Sequence, residues 1–228
     1  SLAILVGDLA LVYAEDMFQD SGLSAAALHR ARSPWRGMRT EVIGGQLLDI
    51  SLEAAGSESV ELANSVNRYK TAAYTIERPL HLGAAIAGAS EELIAAFRGY
   101  GHDIGIAYQL RDDQLGVFGD PAVTGKPAGD DLREGKRTEL LALALQRADE
   151  SDPQAAATLR KLIGRTSDPQ ELSRLAQIIA DSGAPEEIER RIDALTRSGL
   201  QHLHAAKVDP TVTETLEQLA IKATARRK

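Results

Sequence analysis

Apolar residues recur at helical spacing along almost the whole chain, which points to a fold of helices packed on helices. In the opening stretch Leu5, Leu9, Val12 and Phe18 follow that period. Hydrophobic residues make up 43% of the 228 positions and aromatics only 4%, with Ala, Leu and Ile supplying most of the apolar share. The amount suffices for a substantial core and sets aside a disordered tail. The type favours helix over sandwich or barrel. The expectation is an all-α bundle, one domain over 1–228, with no repeat and no linker.

Breaks in the period place the elements. Asp20-Ser21-Gly22 interrupts the first helix, and Pro34-Trp35 reads as a second break. Helical spacing resumes over 39–52 and ends near Gly56. A helix over 59–76 is expected to stop before Pro79, because the residue before a proline disfavours the α region. Residues 81–88 are apolar and small, and 91–115 reads as one longer helix. The stretch 116–131 then carries four glycines, two prolines and no hydrophobic period. Loops of that length in compact domains serve function or are disordered. The last hundred residues read as short helices. Asp152-Pro153, Asp168-Pro169 and Asp209-Pro210 each have the form of an N-cap followed by proline at the first helical position. Gly183 and Gly199 are candidate stops or kinks, and Arg226-Arg227-Lys228 is a solvated end.

Composition narrows the chemistry. With no cysteine, disulfide scaffolds, thiolate metal sites and cysteine nucleophiles are excluded. A net charge of −7 argues against a broad basic surface for nucleic acid. No run of 18 apolar residues occurs, so no stable membrane insertion is expected. Residues 1–6 look superficially like a signal core, but they lack a preceding basic region and run into Gly7-Asp8. They read as an internal helix whose upstream chain is missing, in a cytoplasmic protein. The five histidines show no HExxH spacing, and no Walker loop, strand-following GxGxxG or GxSxG is present.

Gln109, Asp112 and Asp113 fall at i, i+3 and i+4, on one helix face. Adjacent carboxylates repel unless a cation or solvent separates them, and their oxygens suit a hard ion such as Mg²⁺. The alternative is a solvated acidic helix end. The pair leads into the glycine-rich loop, and beyond it lie Gly125-Lys126, Asp131 and Gly135-Lys136. Only seven lysines occur in the chain, so two beside one loop and a carboxylate pair form a natural cage for a diphosphate. The alternative is an ordinary surface loop. Gln46 and Asp49 lie one turn apart behind Gly44-Gly45. Two helical glycines cost about 1 kcal/mol each against alanine, so close approach of a ligand or another helix explains them best. Lys70-Thr71 sits among apolar neighbours and needs a partner. Equally, Thr71 can bond back to its own helix and Lys70 can reach out to solvent. Met17 and Phe18 either line a cavity or fill the core.

The order Gly7-Asp8, Gly45-Gln46, Tyr69-Lys70-Thr71, Tyr108-Gln109-Leu110-Arg111-Asp112-Asp113, Gly125-Lys126, Asp131 and Gly135-Lys136 resembles the trans-prenyltransferases, the head-to-tail isoprenyl diphosphate synthases. The stretch 108–138 is most similar to the geranylgeranyl or farnesyl diphosphate synthases of actinobacteria. The resemblance implies an isoprenoid-synthase-type helical bundle around a central cavity. It implies Mg²⁺-dependent condensation of isopentenyl diphosphate with an allylic diphosphate to a C15–C20 product, with C20 favoured. It assigns Asp112 and Asp113 to the metal and Gln46, Lys70, Gln109, Lys126 and Lys136 to substrate. Lys70, Thr71 and Gln109 would serve catalysis, with Thr71 and Gln46 near the reacting carbons. A homodimer is implied, with the apolar first helix suited to its face.

Two departures stand out. The second aspartate-rich motif, usually DDxxD, reads Asp112-Asp113-Gln114-Leu115-Gly116. The first such motif, which in the family lies upstream of the segment matching Gly7-Asp8, is absent. The 228 residues alone are therefore expected to be inactive and prone to associate. Two other readings stand beside the synthase: a non-catalytic helical subunit that modulates a partner enzyme, and a class I terpene cyclase.

Overall fold

The computed structural model describes residues 2–121, 125 and 128–225, and among these every regular element is helical. Helix α1 (Leu2–Gln19) precedes the long α2 (Ala25–Ala55). A continuous coil follows, made of α3 (Val60–Val66), a π-helical segment (Asn67–Glu77) and α4 (Arg78–Ala87). The central α5 (Glu91–Phe118) and the short α6 (Asp130–Glu134) come next. The chain then forms α7 (Glu139–Ser151), α8 (Pro153–Leu162), α9 (Pro169–Asp181), α10 (Ala184–Ala205) and α11 (Pro210–Thr224).

Helix α5 is the hub. Its buried residues, from Ala96 through Tyr100, Ile104 and Leu110 to Val117, face more than one side. The larger apolar core surrounds its second half, and a smaller one forms where Tyr100 and Ile104 meet Leu203 of α10 and Ala220 of α11. The three Asp-Pro pairs behave as expected. Asp152 accepts from the Gln154 and Ala155 amides at 3.1 Å, and Asp168 and Asp209 accept from Gln170 and Thr211 at 2.9 Å. Each satisfies amides that the first turn leaves open.

Several expected breaks are not breaks. Pro34 lies inside α2, on a buried stripe with Ala27, Ala31, Gly45 and Leu52. One backbone bond is lost there, but burial along that face keeps the helix whole. The helix expected to end before Pro79 continues instead through the π segment into α4. Pro79 lies just past the π-to-α junction, where it removes one backbone bond from the coil without ending it. Helix α5 runs on to Phe118 by burying Val117, and the Gly119 amide closes its last turn on Leu115 at 2.8 Å. Gly199 sits within the 22-residue α10 rather than ending it, whereas Gly183 does mark that helix's start.

Helix α1 buries no residue and shows Leu2, Ile4, Leu5, Val6 and Met17 to solvent. Two contacts hold its end. The Phe18 and Trp35 rings stack at 4.9 Å, and the Trp35 indole N–H donates to Glu15 at 2.7 Å. Phe18 therefore packs on Trp35 while Met17 faces outward. No helix among the described residues is long and apolar enough to cross a membrane.

The π segment lies between α2 and α5, and glycines set its distance from both. A Cβ on Gly45 would come within 2.4 Å of the Lys70 amide nitrogen, and one on Gly105 within 2.6 Å of Ala72. Gly44, by contrast, has nothing within 4 Å of its would-be Cβ. Gly45→Ala is expected to cost about 1–3 kcal/mol through forced separation of backbones. Gly44→Ala is expected to be neutral or to stabilise by up to about 1 kcal/mol. Urea unfolding of the two variants side by side checks the contrast.

Candidate functional site

The crossing of the π segment over α5 brings the two helices' polar groups together at one end of the bundle. Tight packing at Gly45 and Gly105 fixes the register, so Lys70 and Thr71 face Gln109, Asp112 and Asp113 across a cleft of about 200 Å³. Residues 136–138, just past α6, close its rim. Lys70, Thr71, Gln109, Asp112, Asp113 and Lys136, all singled out from the sequence, line this one cleft. Gln46 does not: it is exposed on α2, and Asp49, one turn on, lines the cleft in its place. Lys126 lies outside the described residues.

The polar groups form a connected chain. The Thr71 hydroxyl donates to the Gln109 carbonyl at 2.7 Å, and the Gln109 amide donates to Asp113 Oδ1 at 2.7 Å. The amide oxygen thus meets the Thr71 hydroxyl and the amide nitrogen meets Asp113. The Lys70 ammonium is paired with Asp49. The Lys136 ammonium donates to Asp131 Oδ1 at 2.5 Å, with Glu134 at 3.6 Å.

Burial shapes the charges. Asp113 is only 4% exposed, and its Oδ2 is buried with no hydrogen-bond partner. Burial pushes its carboxyl well above the ordinary value, and the nearby charges of Asp131 and Asp112 push the same way. The bond from Gln109 and the charge of Lys136 only partly offset this. For Lys136, burial works towards a lower pKa. The bond and charge of Asp131, with Glu134 and Asp113 behind it, outweigh burial and hold the ammonium firmly charged.

An orphaned, buried carboxylate oxygen next to a second aspartate is a site for a cation. Among the described residues no three Asp, Glu or His side chains converge into a closed metal cage. Mg²⁺ keeps several waters and uses one or two carboxylates together with phosphate oxygens. Asp112 and Asp113 fit that role, with Lys70 and Lys136 placed for the anionic partner of such an ion.

The glycine at the end of the aspartate motif has a structural cause. A Cβ on Gly116 would stand 2.0 Å from Asp131 Oδ2 and 2.3 Å from its Cγ. The Asp131 carboxylate, 6% exposed, fills the space that a side chain at 116 would enter. Asn67 in the cleft lining and Asp131, buried against Lys136, are groups that sequence reasoning left without a role. Asp131 is 15 positions from Gly116 across a loop, and Asn67 carries no motif.

The chain is similar to known proteins over most of its length. The family model described as polyprenyl synthetase matches residues 1–181. A crystal structure of geranylgeranyl pyrophosphate synthase from Corynebacterium glutamicum, complexed with isoprenyl diphosphate and magnesium, is 64% identical with a TM-score of 0.97. It covers 100% of this chain and 64% of that one. The geranylfarnesyl diphosphate synthase of Aeropyrum pernix is 40% identical over 151 residues, 64% of this chain and 46% of that protein. The geranylgeranyl diphosphate synthase of Mycobacterium tuberculosis is 40% identical over 113 residues, 50% of this chain and 32% of that protein. The chain thus spans less than half the length of the curated relatives it matches here.

The raised pKa of Asp113 has a consequence for stability. A folded carboxyl that holds its proton more tightly than the unfolded one stabilises at low pH, and that stability is lost as pH rises through the raised value. At pH 7, above the ordinary carboxyl value, the metal-free protein carries the cost of burying this group. Asp113→Asn is expected to raise its thermal midpoint at pH 7, by about 2–4 °C for each kcal/mol recovered. The gap should close as pH falls towards the ordinary carboxyl value of 3.8. Thermal unfolding of both proteins across that range, without metal, checks it.

Proposed function

Because the chain belongs to the polyprenyl synthetase family, we propose that its cleft binds an allylic diphosphate and supports head-to-tail condensation with isopentenyl diphosphate. The product in this reading is a prenyl diphosphate of C15–C20, with C20 favoured. One observation carries the reading. Two lysines, each already charge-paired, flank a buried aspartate oxygen with no partner, in one small cleft. A metal diphosphate needs both kinds of group, cations for its oxygens and carboxylates for its ion.

The C–O bond of the allylic diphosphate breaks, and the diphosphate leaves with the electron pair. The double bond of isopentenyl diphosphate attacks the resulting carbocation, and the released diphosphate takes up the proton whose loss restores a double bond. Lys70 and Lys136 meet the departing diphosphate as fixed point charges, so little reorganisation is needed as its charge grows. Magnesium bound through Asp112 and Asp113 would neutralise the remainder of that charge. Gln109, held between Thr71 and Asp113, keeps a carbonyl oxygen and a hydroxyl near the cationic carbon, where their dipoles favour positive charge. The magnesium and isoprenyl diphosphate of the Corynebacterium glutamicum complex support the same reading.

A non-catalytic subunit has no need for the Thr71–Gln109–Asp113 chain or for an unpartnered buried carboxylate oxygen, and the latter carries a cost in stability. A terpene cyclase would not consume isopentenyl diphosphate. A homodimer that covers the apolar surface of α1 belongs to the same proposal.

The test is consumption of isopentenyl diphosphate by the full-length protein with an allylic diphosphate and Mg²⁺. Turnover is expected, and Lys70→Ala and Asp112→Ala should each lower kcat/KM by about 10²-fold or more. Gly116→Asp, which restores the motif's last carboxylate, should lower kcat/KM by roughly tenfold, because it displaces Asp131 from Lys136. A rise in activity would instead mean that the glycine is a simple loss.

A further inference from the structure

Among the described residues, three that line the cleft carry a buried side-chain atom without a hydrogen-bond partner: Asp113 Oδ2, Arg137 Nε and Asn67 Nδ2. The cation reading absorbs the first. Of the two donors, Asn67 is the more enclosed, at 5% exposure. Its backbone is satisfied, since its amide donates to Ala63 and Asn64 carbonyls, so only the side chain is left over. We propose that Asn67 is a diphosphate-binding residue whose side-chain amide donates a hydrogen bond to a phosphate oxygen of the allylic substrate.

Chemistry and position both favour this. A buried donor without a partner bears the full desolvation penalty, so native structures almost always supply one. The amide nitrogen can only donate, which makes its missing partner an acceptor. Asn67 opens the π segment, and Lys70 lies one turn further along it, lining the same cleft. Insertions of the π type widen the coil and are frequent at functional sites. A neutral amide also offers an anion a hydrogen bond without burying a further charge beside Lys70 and Lys136. The inference rests on the diphosphate reading of the cleft.

Calorimetry with inorganic pyrophosphate and Mg²⁺, on the full-length protein, tests it together with thermal unfolding. Asn67→Leu keeps the size and removes the stranded donor. It should weaken pyrophosphate binding at least fivefold while leaving the ligand-free midpoint unchanged or higher. Asn67→Asp, which sets a carboxylate against the anion, should weaken binding further. Unchanged affinity in Asn67→Leu would overturn the proposal, and so would weaker binding accompanied by a lower midpoint, which marks a scaffold residue. If Asn67→Leu does not fold, Asn67→Ala is judged by the same two readouts. Wild-type protein that fails to bind pyrophosphate would sink the diphosphate reading itself. Wild-type binding with an indifferent Asn67→Leu would sink only the role of Asn67.

Discussion

The site depends first on how closely three stretches of backbone approach one another. Gly45 of α2 lies against the amide of Lys70, and Gly105 of α5 lies against Ala72. The π segment between them is wider than an ordinary α-helix, and side chains at either glycine would hold it off. Helix packing normally leaves 8–10 Å between axes. Here side chains are removed at the crossing points, so short polar groups can meet: the Thr71 hydroxyl reaches the Gln109 carbonyl at 2.7 Å. The local cost of glycine in α2 and α5 and of the poorer π geometry is offset by packing and by these bonds.

Charge is arranged on that scaffold so that the empty cleft is tolerable but incomplete. Each cleft lysine has a carboxylate, Asp49 for Lys70 and Asp131 for Lys136. Both pairs are only partly buried, and both lysines are held in place by counter-ions that are part of the fold. Asp113 is the exception. Its second oxygen faces no donor, and the neighbouring carboxylates make its ionisation harder. Such an arrangement lowers stability in the absence of a cation and is relieved by one, the usual trade between stability and function at a preorganised site.

What was legible in the sequence was what local chemistry determines. The Asp-Pro caps, the end at Gly56 and the single face of Gln109, Asp112 and Asp113 all follow from neighbours a few positions away. What was not legible depended on partners far along the chain. Pro34 looks like a break until its helix face is seen to be buried, and Pro79 does until the π segment is seen to lead into it. Gly44 and Gly45 are indistinguishable in sequence, yet only one meets another helix. Gln46 and Asp49 sit one turn apart on α2, and the sequence favoured the one that stays exposed. Gly116 read as a lost carboxylate, because nothing local indicates that Asp131 would occupy its space. The role of Asn67 is visible only as a donor with nothing to bond.

The C-terminal helices carry none of the recognised motifs, yet they bear on the site through Arg111. This residue precedes Asp112 and turns the opposite way, into the protein, where it is 7% exposed. Its guanidinium grips Glu189 of α10 with two bonds of 2.5 and 2.7 Å, and its Nε donates to the Thr224 carbonyl at the end of α11 at 2.8 Å. A planar, two-pronged contact of this kind fixes orientation as well as distance. Since adjacent residues on a helix point about 100° apart, holding Arg111 still also holds the rotation of α5 that turns Asp112 and Asp113 into the cleft. Gln114 adds a second tie to the Pro185 carbonyl of α10 at 3.0 Å. Helices α10 and α11 thus act as a clamp on the back of the helix whose front face bears the acidic pair. Loosening that clamp would disturb the cleft without touching any residue in it.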